Sequence, residues 1–194
     1  MIRTISVAAL AIALSGCVSL GGKPPASLLN LTSVASMAPN DTRTAQAGEA
    51  ITIDVPVVPQ ALASNRVLVM DGATSLAYVK DAMWVEPPAK LFQRLVSETV
   101  AAGTGRVVLD PRQFALDPGT QVTGTLRAFG IDSGAGQAVV IYDAAISADN
   151  GKSVRTRRFE ARVAVGKIEA GTVGRALNAA ANKVAEDVAG WIAS

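Results

Sequence analysis

In QAVVIYDAAISADNGKSVRTRRFEARVAV (137–165), two long runs share a period of two and meet at a turn signal. The first run places Ala138, Val140, Tyr142, Ala144 and Ile146 on one face. The second places Phe159, Ala161, Val163 and Val165 inward, against Thr156, Arg158, Glu160 and Arg162 outward. Such alternation marks strands with one buried face, and Asn-Gly within Asp149-Asn150-Gly151 marks a hairpin between them. With the apolar-rich run Thr120 to Asp132 ahead of them, strands over 120–132, 137–149 and 153–165 form an antiparallel meander.

Two stretches elsewhere in the chain change period. Pro87 and Pro88 open a helix over 87–102 with Leu91, Phe92, Leu95, Val96, Thr99 and Val100 on one face and Lys90, Gln93, Arg94, Ser97 and Glu98 on the other. Gly103 is expected to close it. The segment 170–192 is a longer amphipathic helix, with Val173, Leu177, Ala180, Ala181, Val184, Val188, Trp191 and Ile192 facing inward. Arg175, Asn178, Asn182, Lys183, Glu186 and Asp187 lie opposite. Shorter strands are expected at Ser27 to Val34, Ala50 to Val58, Arg66 to Met70, Ser75 to Val79 and Val107 to Leu109. Together these predict a single α/β domain over 27–194: a mixed, largely antiparallel twisted sheet covered by two amphipathic helices. The 4% aromatic content and the abundance of Ala and Val predict a core of small side chains.

The N-terminus has a different character. Arg3 precedes an apolar run to Leu14, about half the ~20 residues that a bilayer-spanning helix needs, and Leu14-Ser15-Gly16-Cys17 follows. This is a lipobox: 1–16 reads as a cleaved lipoprotein signal peptide and Cys17 as the lipidated residue. Cys17 is the only cysteine, so the exported chain makes no internal disulfide. The resemblance to bacterial lipoproteins implies acyl chains on both the thiol and the freed amine, enough for stable attachment without a transmembrane helix. Residues 17–26, with Gly21-Gly22 and Pro24-Pro25, form a tether. Val18 and Ser19 after the cysteine favour, by the enteric sorting rule, the inner leaflet of the outer membrane.

Several chemistries are disfavoured. The chain has no histidine, which excludes Ser-His-Asp and Cys-His catalysis and metal sites built on Cys and His. Asp110 and Asp117 fit no calcium loop and read as solvated loop acids. Gly103-Thr104-Gly105-Arg106 and Gly134-Ala135-Gly136 lack the further glycine and lysine of a phosphate loop and read as turns. Outside the leader, 17 basic residues face 16 acidic ones, too little excess for nucleic-acid binding. No enzyme activity and no cofactor other than the covalent lipid is expected. Arg155, Arg157 and Arg158 form the densest basic cluster, split by alternation between two faces. It reads as a solvated strand end or as a contact for anionic phospholipid or a partner. Trp191 reads as core or helix-end packing.

One region carries a family resemblance. Ile53-Asp54-Val55-Pro56, Pro59 and Leu62, then Asn65-Arg66-Val67-Leu68-Val69, Leu76-Ala77-Tyr78, Trp84-Val85-Glu86-Pro87-Pro88 and the helix bearing Leu91 and Leu95, resemble the PqiC-like auxiliary lipoprotein component of ABC-type transport systems associated with mammalian-cell-entry (MCE) proteins. The first strand lacks the aromatic that the family usually carries there, and the Arg66 strand lacks the proline often following that arginine. The resemblance implies a non-catalytic, membrane-anchored periplasmic subunit that docks an MCE protein and its ABC transporter and supports movement of phospholipid or other hydrophobic compounds. A structural or activating envelope lipoprotein, acting in cell-wall synthesis or envelope integrity, fits the same lipobox and domain. Tyr78, Trp84 and Glu86, before the first helix, are the candidate partner-binding residues, with Trp84 serving either as an interface anchor or as packing beneath the incoming helix.

Overall fold

A computed structural model describes residues 27–46, 48–112, 119–148 and 152–194. The elements run β1 (Ile51–Ile53), β2 (Arg66–Asp71), β3 (Ser75–Met83), α1 (Pro88–Thr104), β4 (Val108–Leu109), β5 (Thr120–Asp132), β6 (Gln137–Ala148), β7 (Ser153–Ala164) and α2 (Ala170–Ala193), with a short 3₁₀ turn at Gln60–Leu62. The sheet is mixed, as expected. β5, β6 and β7 form the antiparallel meander, while β1 and β2 lie parallel to β5 at opposite ends of its other edge. β3 returns antiparallel on β2, and β4 flanks β1 in parallel. The hairpin turn 149–151 lies outside the described residues, as do Cys17, the leader, the tether and Asp117.

Both helices pack on one face of the sheet. Val122, Leu126, Phe129 and Ile131 of β5, Ala138 to Ile146 of β6 at alternate positions, and Phe159 and Ala161 of β7 are buried against the stripes expected for the two helices. Small residues dominate the inward side of α2, where Ala180, Ala181 and Ala185 are fully covered, so the helices approach closely. Six of the seven aromatics among the described residues lie in this core. Trp84, Phe129, Phe92 and Tyr142 form a chain with centroid spacings of 5.4, 6.4 and 5.2 Å, and Phe159 meets Trp191 at 5.5 Å. The other face carries Thr123, Arg127, Asp143, Arg158, Glu160 and Arg162, interspersed with the apolar Leu68, Ala128, Val139 and Ile141.

Six expectations are corrected. Residues 27–34 form no strand: Leu29 makes a single parallel bridge to Trp84, and the segment then crosses the seam between α1 and α2 as a strap. Asn182, expected on the solvent side of α2, is buried there. Its side chain accepts from the Val34 N–H and donates to the Thr32 carbonyl, both at 2.9 Å, while Asn178 accepts from the Thr32 N–H. Gln93, expected on the outer face of α1, is also buried, donating to the Ile53 carbonyl at 3.0 Å. The helix closes at Gly105, not Gly103: Gly105 holds φ 71°, a left-handed conformation open to glycine, and its N–H returns to Ala101. β1 ends before Pro56 and is shorter than 50–58, whereas β3 extends to Met83, past Val79.

Candidate functional site

The turn from β3 into α1 positions the candidate residues. Trp84 N–H donates to Asn65 and Val85 N–H to Leu29, which pins the chain before Glu86; Pro87 then caps α1 with its extended backbone and Pro88 starts the helix without needing a donor. Glu86 thereby stands one turn ahead of Lys90 and two ahead of Arg94, and Arg94 Nη1 reaches Glu86 Oε1 at 2.7 Å. Opposite them, Asp110 accepts from the Arg112 backbone N–H at 2.9 Å and from its Nε at 2.8 Å. These hydrogen bonds hold the Asp110 carboxyl below its ordinary value and raise the Arg112 guanidinium. Val55, Gln93 and Pro111 complete a cleft of about 410 Å³ with mixed charge at its mouth and an apolar rim.

The three candidate partner-binding residues are not brought together. Trp84 is 1% exposed and lies in the core on the helix-covered face. Its indole Nε1 has no hydrogen-bond partner there. Tyr78 is half-buried on the opposite face of the sheet, opposite Leu68, with the Arg66 guanidinium 4.0 Å over its ring and its hydroxyl donating weakly to Ala61. Glu86 alone lines the cleft. Lys90, Arg94 and Gln93, read from sequence as the outer side of α1, are the residues that join it. The four-residue spacing of Glu86, Lys90 and Arg94 was the available signal for a charged row on one helix face. Arg112 had no such signal, because its approach depends on the loop after β4.

Next to the cleft, Asp54 follows β1 and its carboxyl is raised by burial, while the Tyr142 phenol is pushed far above its ordinary value by burial and by the nearby Asp54. The Tyr142 hydroxyl donates to the Thr123 carbonyl at 3.2 Å, so it serves the core rather than the cleft. Among the described residues no group of three or more Asp, Glu, His or Cys side chains is placed to hold a metal ion. Among them, too, no helix is long and apolar enough to cross a membrane. The cleft offers paired charges beside Val55 and Pro111.

The arrangement of elements is found in solved structures. The crystal structure of protein XCC0632 from Xanthomonas campestris superposes with a TM-score of 0.68 at 16% identity, covering 86% of this chain and 95% of that one. The crystal structure of an uncharacterized protein gives 0.64 at 13% identity, covering 86% and 99%. At these identities the likeness concerns the fold. No curated protein matches the chain. The family model for the ABC-type transport auxiliary lipoprotein component matches residues 30–189, from the strap to the last turns of α2, and the chain therefore belongs to that family.

Proposed function

We propose that this protein is the membrane-tethered accessory subunit of an MCE-type envelope transporter. Acyl chains on Cys17 hold it at the inner leaflet of the outer membrane, and the folded domain docks the periplasmic MCE component while separate chains supply the permease and ATPase. The observation that carries this reading is the family match across 30–189, which makes the chain an auxiliary lipoprotein of ABC-type transport. The lipobox ending at Cys17 supplies the anchor in the sequence. A lipid confines the domain to a membrane surface but confers no choice of partner, so recognition falls to the folded surface. The cleft at the start of α1, with Glu86 and Arg94 at its mouth, and Tyr78 with Arg66 on the opposite sheet face are the surfaces offered for it.

Purification of the tagged full chain from membranes of cells making the neighbouring transporter tests this. The MCE component should co-purify with the acylated wild type and fall sharply with Cys17→Ala, which should also lose palmitate label. Recovery of a cell-wall synthase in place of the MCE component would transfer the protein to the class of envelope-integrity lipoproteins. Failure of the wild type to take up palmitate would remove the anchor.

A further inference from the structure

We propose that the free edge of β7 is a docking strand that takes an extended, acidic segment of another envelope protein into the sheet. β7 bonds only to β6 among the described residues, through an unbroken register from Gln137↔Ala164 to Ala148↔Ser153. The Val165 N–H donates to the Gly136 carbonyl at 2.8 Å, which sets the phase of the ladder. In an antiparallel pair, residues that exchange hydrogen bonds alternate with residues whose N–H and C=O point away. Val154, Thr156, Arg158, Glu160, Arg162 and Ala164 therefore present their backbone groups outward, in the pattern that strand addition uses. From Ser153 to Arg158 the strand is exposed on both faces.

The sheet's other long edge is not comparable. β3 is interrupted where Asp81 adopts φ 55° and the pairing with β2 shifts between Arg66 and Leu68, a kink that blunts an edge. β7 carries no such break. Its protection is charge, and that charge selects the occupant: Lys152, Arg155, Arg157, Arg158 and Arg162 stand against Glu160 alone. Arg158 is neutralised by Asp143 and Arg162 by Glu160 and Asp132. Arg155 and Arg157 instead lie over the Trp191 and Phe159 rings, 5.4 and 5.1 Å from their centroids, with no carboxylate partner among the described residues. A second copy paired through the same end of β7 would set arginine clusters against each other, whereas an acidic strand would neutralise them.

The position of this edge argues against a lipid occupant. A Cβ on Gly174, in the second turn of α2, would lie 2.8 Å from Leu29, so the first described residues lie against that end of the helix. Arg155 lies over Trp191, seventeen residues later, about 26 Å along the axis at roughly 1.5 Å per residue. With the chain anchored through Cys17, as the proposed function has it, the described chain begins at the opposite end of α2 from the basic strand end.

The test uses the full acylated chain in its own cells, with the photo-cross-linking residue benzoylphenylalanine at Thr156. The expected adduct is a protein segment that is extended and net acidic, and Thr156→Pro should lower recovery of that partner several-fold, up to about tenfold, as loss of one backbone hydrogen bond does. The Thr156 N–H lies outside the β6 ladder, so proline there removes an edge donor without breaking the sheet. Thr156→Glu, which adds like charge and keeps the backbone, should lower recovery as well and covers the case in which proline disturbs folding. An adduct to lipid, to β7 of a second copy or to a basic or helical segment overturns the proposal, as does the absence of any adduct or unchanged recovery with Thr156→Glu. An acidic-strand partner outside the MCE system would retain the docking edge and remove the transport reading. An MCE component that co-purifies regardless of both substitutions would do the reverse.

Discussion

Trp84 shows how one side chain fixes what its neighbours can do. Its backbone bridges Leu29 in the strap, its indole packs tilted against Phe129 with centroids 5.4 Å apart, and it stands shortly before Pro88 starts α1, so one residue joins strap, sheet and helix. With 1% exposure it is unavailable to a partner in the folded domain, whereas Glu86 two residues later is reachable and half-exposed. Trp84→Ala should cost ~3 to 5 kcal/mol, the range for truncating a large buried aromatic. Glu86→Ala should cost under about 1 kcal/mol, because its ion pair with Arg94 is open to water. Tyr78→Ala should fall between the two, since its ring is half-buried under Arg66. Denaturant melts of the three variants check the order, and a Trp84→Ala chain as stable as Glu86→Ala would show that the aromatic chain does not hold the core.

At the level of elements, the period of the apolar residues made the meander and both helices legible. Tyr142 and Phe159, predicted on the inward faces of adjacent strands, are paired across β6 and β7, and Leu95 and Leu177 are buried in their helices. What periodicity could not reach was polar side chains with partners far away in sequence. Asn182 and Gln93 look like surface residues until the strap and β1 bring backbone groups to them. The same holds on the open face, where Asp143 of β6 accepts from Arg158 of β7 at 2.6 and 2.8 Å and from Arg127 of β5, lacing three strands together. Arg158, then Arg127, hold the Asp143 carboxyl far below the usual carboxylate range. Because the folded value is depressed, the contribution is fully present above the unfolded value of about 3.9 and is lost as pH falls toward the folded value. Asp143→Asn should therefore cost about 1 kcal/mol or less at neutral pH, as the group faces solvent, and should flatten the loss of stability below about pH 4. Urea midpoints across an acid pH series check this; wild type and variant losing stability in parallel below pH 4 would contradict it.

For the molecule as a whole, the strap joins the two helices, and it is the segment through which the anchor proposed at Cys17 would meet the fold. It runs from Leu29 against Gly174, past Leu31 at 8% exposure, to Arg43, whose guanidinium donates to the carbonyl of Ala101 near the C-terminal end of α1. Between those points Asn178 and Asn182 hold it on α2, and Thr99 and Glu98 hold it on α1. Any pull transmitted from Cys17 would thus enter through a segment bonded to both helices. Removing the strap should be expensive: two leucine side chains contribute ~1.5 to 3 kcal/mol each and the hydrogen bonds ~1 kcal/mol each. A chain starting at Gly48 should lose ~5 kcal/mol or more, a large part of the ~5 to 15 kcal/mol by which domains of this kind are stable. A chain starting at Ser27 should melt close to the full-length protein, because it keeps the whole core described among residues 27–194. Asn182→Ala isolates the polar part: it leaves backbone groups of Thr32 and Val34 without their partner and should cost ~1 to 3 kcal/mol. Amide exchange localises the effect, with the Val34 N–H losing protection before the strands of the meander do. Uniform loss of protection across strap and sheet in Asn182→Ala would instead make the strap an integral part of the cooperative core, and a chain starting at Gly48 that folds with full stability would reduce it to a passive tether.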